Sequence, residues 1–101
     1  MTITVTDVPD KQRWEARDGD TLAGLAAYSR TDDLVVFTHT VVEDDYAGQG
    51  VGGSIAQAAL DAARAQGLRV RPDCPFISEW ITRHPDYEDL VVARRTSPQR
   101  D

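Results

Sequence analysis

The first half of the chain alternates apolar and polar residues in short segments separated by turn signals, which is a pattern typical of β-strands. The breaks fall at Pro9-Asp10, Asp18-Gly19-Asp20 and Thr31-Asp32-Asp33. Short turns favour an antiparallel meander, because parallel neighbours need long crossover connections. We predict four strands, at residues 2–6, 13–17, 22–28 and 34–42, and the last is richest in β-branched and aromatic residues.

The pattern becomes helical at Gly52, where the chain turns rich in alanine, the best helix former. We predict a helix over residues 52–66, ended by Gly67 in the left-handed conformation. At about 100° per residue, one arc is apolar and should be buried against the sheet: it holds Val51, Ile55, Ala58, Ala59 and Ala62. The opposite, polar arc holds Ser54, Gln57, Asp61 and Arg64.

Beyond this helix we predict a strand at residues 68–70 that runs on to Pro72 and completes a β-α-β crossover with strand 34–42. A second, shorter helix is predicted over residues 75–83, with Pro75 in its first turn. Its spacing predicts that Phe76, Ile77, Trp80 and Ile81 are buried. Residues 87–92 are predicted to return as an edge strand. The expected fold is mixed α+β, with one domain over residues 1–93 and a disordered tail over 94–101.

Composition limits the function classes. A chain of 101 residues has room for one hydrophobic core, and no apolar run approaches the roughly 20 residues that cross a bilayer.

The start of the chain does not resemble a signal peptide, and the single Cys74 favours a reducing compartment, so a cytoplasmic location is expected. The net charge of -6 disfavours nucleic acid and anionic membranes as partners. We expect a monomer.

The segment that joins the strongest strand to the strongest helix is rich in glycine: Tyr46-Ala47-Gly48-Gln49-Gly50-Val51-Gly52-Gly53. Glycines let the main chain turn sharply and present N–H groups without obstruction by Cβ atoms. The helix that follows adds partial positive charge at its amino end. Such a turn is either a tight connection or a phosphate-binding site, and four glycines in six positions favour the phosphate-binding site.

Two other nucleotide-binding patterns fit this segment less well. Gly48, Gly50 and Gly53 satisfy the dinucleotide pattern G-x-G-x-x-G, and Asp73 lies at a suitable distance for a ribose contact. A dinucleotide domain, however, needs several parallel strands with helices on both faces. A P-loop is excluded because no lysine follows the glycines.

Four motifs together resemble the small GNAT-like, or GCN5-related, N-acetyltransferases. They are residues 37–42 (FTHTVV), 46–52 (YAGQGVG), 71–76 (RPDCPF) and 84–87 (HPDY), and the likeness runs from about Thr38 to Leu90. The resemblance implies a mixed sheet with acetyl-CoA bound across a splay between strand 34–42 and strand 68–72. It also implies that pantetheine pairs with the main chain near Val41 and Val42. This contact is physically reasonable in itself, because the amides of pantetheine can hydrogen bond to an open strand edge as a peptide does.

The family's pyrophosphate loop reads Gln or Arg, two variable residues, Gly, one variable residue, then Gly or Ala. Gly50 and Gly52 fit this pattern, but Ala47 occupies the Gln or Arg position. The loop therefore lacks a side-chain donor at its start, and main-chain N–H groups must hold the diphosphate. The expected cofactor-binding residues are Val41, Val42, Ala47, Gly48, Gln49, Gly50, Val51, Gly52 and Gly53.

Two residues are the candidates for catalysis. Cys74 precedes a helix start, where a thiolate is stabilised, and the resemblance places it near the thioester as a possible acetyl acceptor; the alternative is an inert buried cysteine. His39 is the candidate base for the incoming amine. Strand alternation would place it with Phe37 and Val41 on one face, so a core histidine is the alternative.

Other polar and aromatic residues have weaker claims. Glu43 and Glu79 are alternative bases, Tyr87 is a candidate donor to the departing thiolate, and His84 is expected to close the second helix. Two separate histidines and one cysteine do not form a metal site, so no metal is expected. The dispersed aromatic side chains are expected to pack in the core rather than to stack on a base: Trp14, Tyr28, Phe76 and Trp80.

The leading hypothesis is an acetyl-CoA-dependent N-acetyltransferase that acts on a small-molecule or peptide amine. The rival hypothesis is a module that binds CoA or acyl-CoA without turnover, because a short chain leaves little material for an acceptor pocket. A third hypothesis is a structural or protein-interaction domain that does not bind CoA at all.

Overall fold

A computed structural model describes residues 2–92 of the chain. Five strands form one sheet in the order β1-β2-β3-β4-β5, and only β4 and β5 are parallel. This arrangement confirms the mixed α+β fold, the antiparallel meander and the β-α-β crossover. The strands are β1 (Ile3–Val8), β2 (Arg13–Asp18), β3 (Thr21–Arg30), β4 (Leu34–Val42) and β5 (Arg69–Pro72).

Two helices cover one face of the sheet: α1 (Val51–Ala65) and α2 (Pro75–Arg83). Side chains from both helices pack with Val35 and Phe37 of β4 in a single core cluster. A second cluster forms where Val51 and Ile55 of α1 meet the alanines of β2 and β3. Three short 3-10 helices connect the larger elements, at Pro9–Lys11, Asp44–Tyr46 and Pro85–Leu90.

The buried face of α1 differs in part from the predicted arc. Ala58 and Ala62 are only partly buried, whereas Ala56, Leu60 and Ala63 lie fully in the core. The contact face is therefore rotated towards Leu60, which is fully buried. The predicted polar arc is confirmed as exposed, and Gly67 follows the helix with a φ of +71°.

A β-bulge at Thr38 changes the direction of side chains along β4. Ala27 of β3 pairs with His39 while Tyr28 pairs with Phe37, so Thr38 is an extra residue on β4. Phe37 is buried under the helices, whereas His39 is exposed. The prediction that Phe37, His39 and Val41 share one face is therefore wrong, because the extra residue reverses the alternation.

Two further predictions near the end of the chain are corrected. Phe76 is 41% exposed rather than buried. Residues 87–92 are not a strand: most of them lie in the 3-10 helix Pro85–Leu90, and only Val91 forms an isolated bridge, with Val70. The predicted tail over residues 94–101 lies outside the described residues, as do Met1 and Ala93.

The sheet face opposite the helices, which we call the bare face, carries Glu15, Leu25, His39 and Val41. Directly opposed strand residues share a face, and Glu15 pairs with Leu25, which pairs with Val41. Glu15 is only 5% exposed and forms ion pairs with Arg13 and Arg17. Hydrogen bonds from these two guanidinium groups lower the pKa of Glu15. No helix within residues 2–92 is long and apolar enough to cross a membrane.

Candidate functional site

The glycine-rich segment forms a turn that leads directly into α1. Gly48 and Gly50 have φ values of +77° and +80°, in the left-handed region that side chains with a Cβ atom rarely adopt. Gly50 is the residue that precedes the first helical position, Val51. These two glycines are therefore needed for the path of the main chain and not for space, since a Cβ atom at either position would meet no atom within 4 Å.

This turn leaves a group of main-chain donors free. The first helical hydrogen bond runs from the N–H of Ser54 to the carbonyl of Gly50, at 3.0 Å. No acceptor within residues 2–92 is paired with the N–H groups of the five residues Gly48, Gly50, Val51, Gly52 and Gly53. A helix amino terminus with several free N–H groups is a chemically suitable site for a phosphate.

The turn is fixed to the sheet on its amino-terminal side. Tyr46 donates its hydroxyl to the carboxylate of Asp18 in β2, at 2.9 Å, and this hydrogen bond raises the pKa of Tyr46. The Gln49 side chain donates to the carbonyl of Asp45, at 3.2 Å. Ala47 is exposed and contributes no polar side-chain atom. The free donors are thus held in place without a cation from the turn itself.

A gap between β4 and β5 opens beside this turn. The parallel ladder pairs residues 34–37 of β4 with residues 69–72 of β5 and then stops. After Pro72 the chain turns away, and the N–H of Cys74 donates to the carbonyl of Phe37 at 2.9 Å. Residues 38–42 of β4 have β3 as their only strand partner in the described part of the chain. Their other edge is open to the amides of an extended ligand.

The two predicted pantetheine contacts, Val41 and Val42, lie on this open stretch of β4. Val42 packs towards Val51 and Ile55 of α1, on the side of the helices. Val41 is 40% exposed on the bare face. Main-chain groups of both residues therefore border the gap, while their side chains point to opposite sides of the sheet.

Cys74 lies at the closed end of the gap, where α2 begins. Its side chain is 2% exposed, and it occupies the position that precedes the first helical residue, Pro75. Its Sγ atom lies 3.3 Å from the hydroxyl of Thr40, and either atom can be the donor. Sequence reasoning did not single out Thr40, because the bulge that turns it towards Cys74 leaves no mark in the sequence.

His39 does not lie with Cys74. It is exposed on the bare face, where its Nδ1 is 3.5 Å from the hydroxyl of Thr38. Thr40 and Cys74 lie on the helix-covered face, so the sheet separates the imidazole from the thiol. The two predicted catalytic side chains are therefore not a hydrogen-bonded pair.

The remaining candidates occupy other positions. Glu43 is exposed just after β4, and Glu79 forms an ion pair with Arg83 at 3.1 Å. Tyr87 donates its hydroxyl to Asp61 of α1 at 2.6 Å, away from Cys74. His84 closes α2, as predicted. Among residues 2–92, no three side chains of the metal-ligating types His, Cys, Asp and Glu are grouped so as to hold an ion.

Two aromatic side chains of α2 lie against the first turn of α1. A Cβ atom on Gly52 would stand 2.6 Å from the ring tip of Phe76, and one on Gly53 would stand 3.4 Å from the indole nitrogen of Trp80. Gly52 therefore leaves room for the ring of Phe76, whereas a Cβ atom on Gly53 would make only an ordinary van der Waals contact with Trp80. Trp80 is partly buried and packs against the core cluster, in line with its predicted spacing, whereas Phe76 is exposed.

The site is chemically suited to coenzyme A. Consecutive free N–H groups at a helix start fit a diphosphate, and the open edge of β4 fits the two amides of pantetheine. The apolar side chains beside the gap, Val41 and Phe76, are the two large hydrophobic residues that are most exposed in the described structure.

Comparison with known proteins supports this reading. A family model described as "GCN5-related N-acetyl-transferase" matches residues 13–90. "Protein NATD1" of Bos taurus is 35% identical over 52 residues, which are 52% of this chain and 46% of that protein. The Mus musculus protein of the same name is 33% identical over 52 residues, or 47% of its length. The matched region thus spans about half the length of these curated relatives.

Solved structures with a similar fold carry related names. The solution structure of a protein from Staphylococcus aureus described as GCN5-like has a TM-score of 0.69 at 22% identity, and the match covers 90% of this chain and 89% of that one. The ribosomal-protein-alanine N-acetyltransferase of Brucella melitensis has a TM-score of 0.59 at 17% identity and covers 88% and 67%. At these identities the likeness concerns the fold. On the family match over residues 13–90, the chain belongs to the GCN5-related N-acetyltransferase family.

Proposed function

We propose that this protein is an acetyl-CoA-dependent N-acetyltransferase that acts on a small-molecule or peptide amine. The observation that carries the proposal is the set of five free main-chain N–H groups between Gly48 and Gly53, next to an open edge of β4. Diphosphate and pantetheine are joined in coenzyme A, so one molecule satisfies both features. Family membership is consistent with this reaction.

The residues divide into two groups in this proposal. The turn from Ala47 to Gly53 holds the diphosphate, and the main chain at Val41 and Val42 pairs with pantetheine. Acetyl-CoA supplies an acetyl group that its thioester activates for transfer. An amine attacks as its neutral form, so it must lose a proton near the reacting carbonyl.

Cys74 and His39 take separate roles, because they lie on opposite faces of the sheet. The bare face leaves His39 open to solvent, where an imidazole can accept a proton from an amine that arrives from that side. Cys74 and Thr40 stand at the inner end of the gap, where the thioester is expected. We therefore place the acceptor on the bare face and the cofactor on the face of α1 and α2.

A CoA-binding module without turnover is the second candidate. It is favoured by the burial of the Cys74 thiol and by the absence of a catalytic pair between His39 and Cys74. The two candidates share the cofactor site and differ in chemistry. Only the transferase releases free CoA when an amine is added.

Titration calorimetry with CoA, followed by a thiol-release assay with acetyl-CoA and a panel of amines, tests the proposal. Gly50→Ala is the variant of choice, because its φ of +80° strains any residue with a Cβ atom. Gly19→Ala is the matched control: Gly19 has a φ of +61°, and a Cβ at either position meets no atom within 4 Å. We expect both variants to lose stability and only Gly50→Ala to lose CoA affinity. Failure of the wild-type chain to bind CoA would refute the proposal.

A further inference from the structure

The cofactor turn lacks a cation in its neighbourhood along the chain. Ala47 stands where the family pattern has Gln or Arg, and the sequence contains no Lys or Arg between Arg30 and Arg64. Three carboxylates directly precede the turn, at Glu43, Asp44 and Asp45. A diphosphate bound here would meet main-chain donors and nearby negative charge, so a further side-chain donor would contribute substantially to binding.

Trp80 lies beside the first turn of α1. Its indole nitrogen is 3.4 Å from the point that a Cβ atom of Gly53 would occupy. Gly53 is the third residue of α1, and its N–H is among the free donors. A Cβ atom at this position would be in van der Waals contact with the indole, so the ring lies directly against the first turn of α1.

The indole ring of Trp80 is held in place by neighbouring rings, and its N–H donates to no acceptor within residues 2–92. Trp80 stacks on His84 with ring centroids 3.8 Å apart and 14° between planes, and Tyr87 packs at 5.2 Å. The Nδ1 atom of His84 lies 2.7 Å from the carbonyl of Trp80. Within residues 2–92, none of the hydrogen bonds involves the indole nitrogen, so this N–H remains available to a ligand.

We infer that the indole N–H of Trp80 is the side-chain donor to the diphosphate of coenzyme A, and that it supplies from α2 what Ala47 does not supply from the turn. The inference rests on the proposed function, since it assigns a binding residue to the same site. Gly52 leaves the space that the ring of Phe76, also on α2, occupies beside this turn. Trp80 is a specificity-determining residue for the phosphorylated part of the cofactor.

Calorimetry with CoA and with pantetheine, which has no phosphate, tests the inference on the full chain. Trp80→Phe keeps an aromatic ring but removes the N–H, so it should bind CoA about tenfold more weakly or worse and leave pantetheine binding unchanged. Tyr87→Phe is the control, because it alters the same aromatic cluster without removing a donor near Gly53. Adding Ala47→Arg to Trp80→Phe should restore CoA affinity.

A second measurement needs no variant. Trp14 and Trp80 give two indole N–H signals in a ¹⁵N–¹H spectrum, and inorganic pyrophosphate should shift that of Trp80 and leave that of Trp14 in place. Equal CoA affinity of Trp80→Phe and wild type, an equal loss for pantetheine, or an unmoved Trp80 signal would each overturn the inference while the proposed function stands. If the wild-type chain binds no CoA, both fall together.

Discussion

Gly24 and the carbonyl of Val41 lie so close across β3 and β4 that a Cβ atom on Gly24 would stand 2.8 Å from that oxygen. The same atom would meet side-chain carbons of Val51 and Ile55 at 3.2 and 3.4 Å. Gly24→Ala should therefore lower the free energy of unfolding by about 1 to 3 kcal/mol, as overpacking does in other cores. Urea unfolding measures this change, and because the displaced main chain is that of Val41, CoA affinity should fall with it.

Gly52→Ala provides the comparison. Its new Cβ would meet the ring tip of Phe76 at 2.6 Å, but Phe76 is exposed and its side chain can rotate away. The helix also gains up to about 1 kcal/mol from replacing glycine by alanine. We therefore expect Gly52→Ala to have near-wild-type stability. In Gly24→Ala the new Cβ atom meets a main-chain oxygen that cannot move aside, whereas in Gly52→Ala it meets a side chain that can. An equal loss of stability in the two variants would contradict this explanation.

The Tyr28 hydroxyl gives stability a dependence on alkaline pH. Burial, together with the 2.6 Å hydrogen bond to Asp7, raises the pKa of Tyr28 from 10.0 to about 12. Because the folded protein holds this proton more tightly than the unfolded chain, the contribution is complete below pH 10. It should be lost progressively as the pH rises from 10 towards 12. Urea unfolding at several pH values across this range measures the slope.

Tyr28→Phe is the control for this slope. The variant should be less stable than wild type at pH 8, because it loses the hydrogen bond to Asp7. Its stability should fall less steeply above pH 10, with a remaining slope from Tyr46 and Tyr87, whose pKa values are also raised. An unchanged slope would show that Tyr28 is not the group that titrates.

The Cys74 thiol should react slowly with alkylating reagents. Its side chain is 2% exposed, so labelling by iodoacetamide requires local opening of the junction between β5 and α2. We expect labelling to be at least about tenfold slower in the native protein than in urea, and slower again with acetyl-CoA present. Mass spectrometry follows both rates, and equal rates with and without acetyl-CoA would place the cofactor away from Cys74.

Cys74→Ser addresses the chemical role of the thiol. Serine retains a group that can hydrogen bond to Thr40, so the fold should be preserved. If Cys74 is an acetyl acceptor, the variant should lose turnover and keep CoA affinity. Full turnover by Cys74→Ser would eliminate the acceptor role and leave the cysteine as part of the core.

His39→Ala tests the proposed base on the bare face. Loss of a general base lowers the rate by about 10² to 10⁴, so kcat should fall by that order while the Kd for CoA stays unchanged. Glu43→Gln is the matched variant, because Glu43 is the alternative base just beyond the same strand. Unimpaired turnover by His39→Ala together with a loss in Glu43→Gln would transfer the role to Glu43.

Much of the architecture was predictable from local pattern. The bounds of β4 and α2 were predicted to the residue, and those of the other four strands and of α1 within about two residues. These elements have strong internal signals, namely β-branched runs, an alanine-rich helix, and proline at the first helical position. The order of the strands followed from the length of the connections alone.

The errors arose where distant residues decide local structure. The bulge at Thr38 is invisible in the run FTHTVV, which alternates regularly, and it depends on how β3 pairs with β4. Residues 87–92 have the composition of a strand, yet Arg64 of α1 binds the Asp86 carbonyl and the Asp89 carboxylate and holds this stretch in a 3-10 helix. Neither contact could be inferred from neighbours in the sequence.

The same limit applied to the candidate site. The glycine turn was predictable, because its conformation is required locally by Gly48 and Gly50. The placement of His39 and Cys74 on opposite faces of the sheet was not predictable, because it follows from the bulge at Thr38. The approach of Trp80 to Gly53 was also hidden, because it depends on how α2 packs on α1.

The parallel ladder between β4 and β5 is only four residue pairs long. Residues 69–92 are thus joined to the rest of the sheet by few main-chain hydrogen bonds, and we expect them to open as a unit at a smaller cost than the meander. A molecule seated across the gap would span both parts. Its binding should slow amide hydrogen exchange in the two parts together, and the more weakly protected part, residues 69–92, should gain the most.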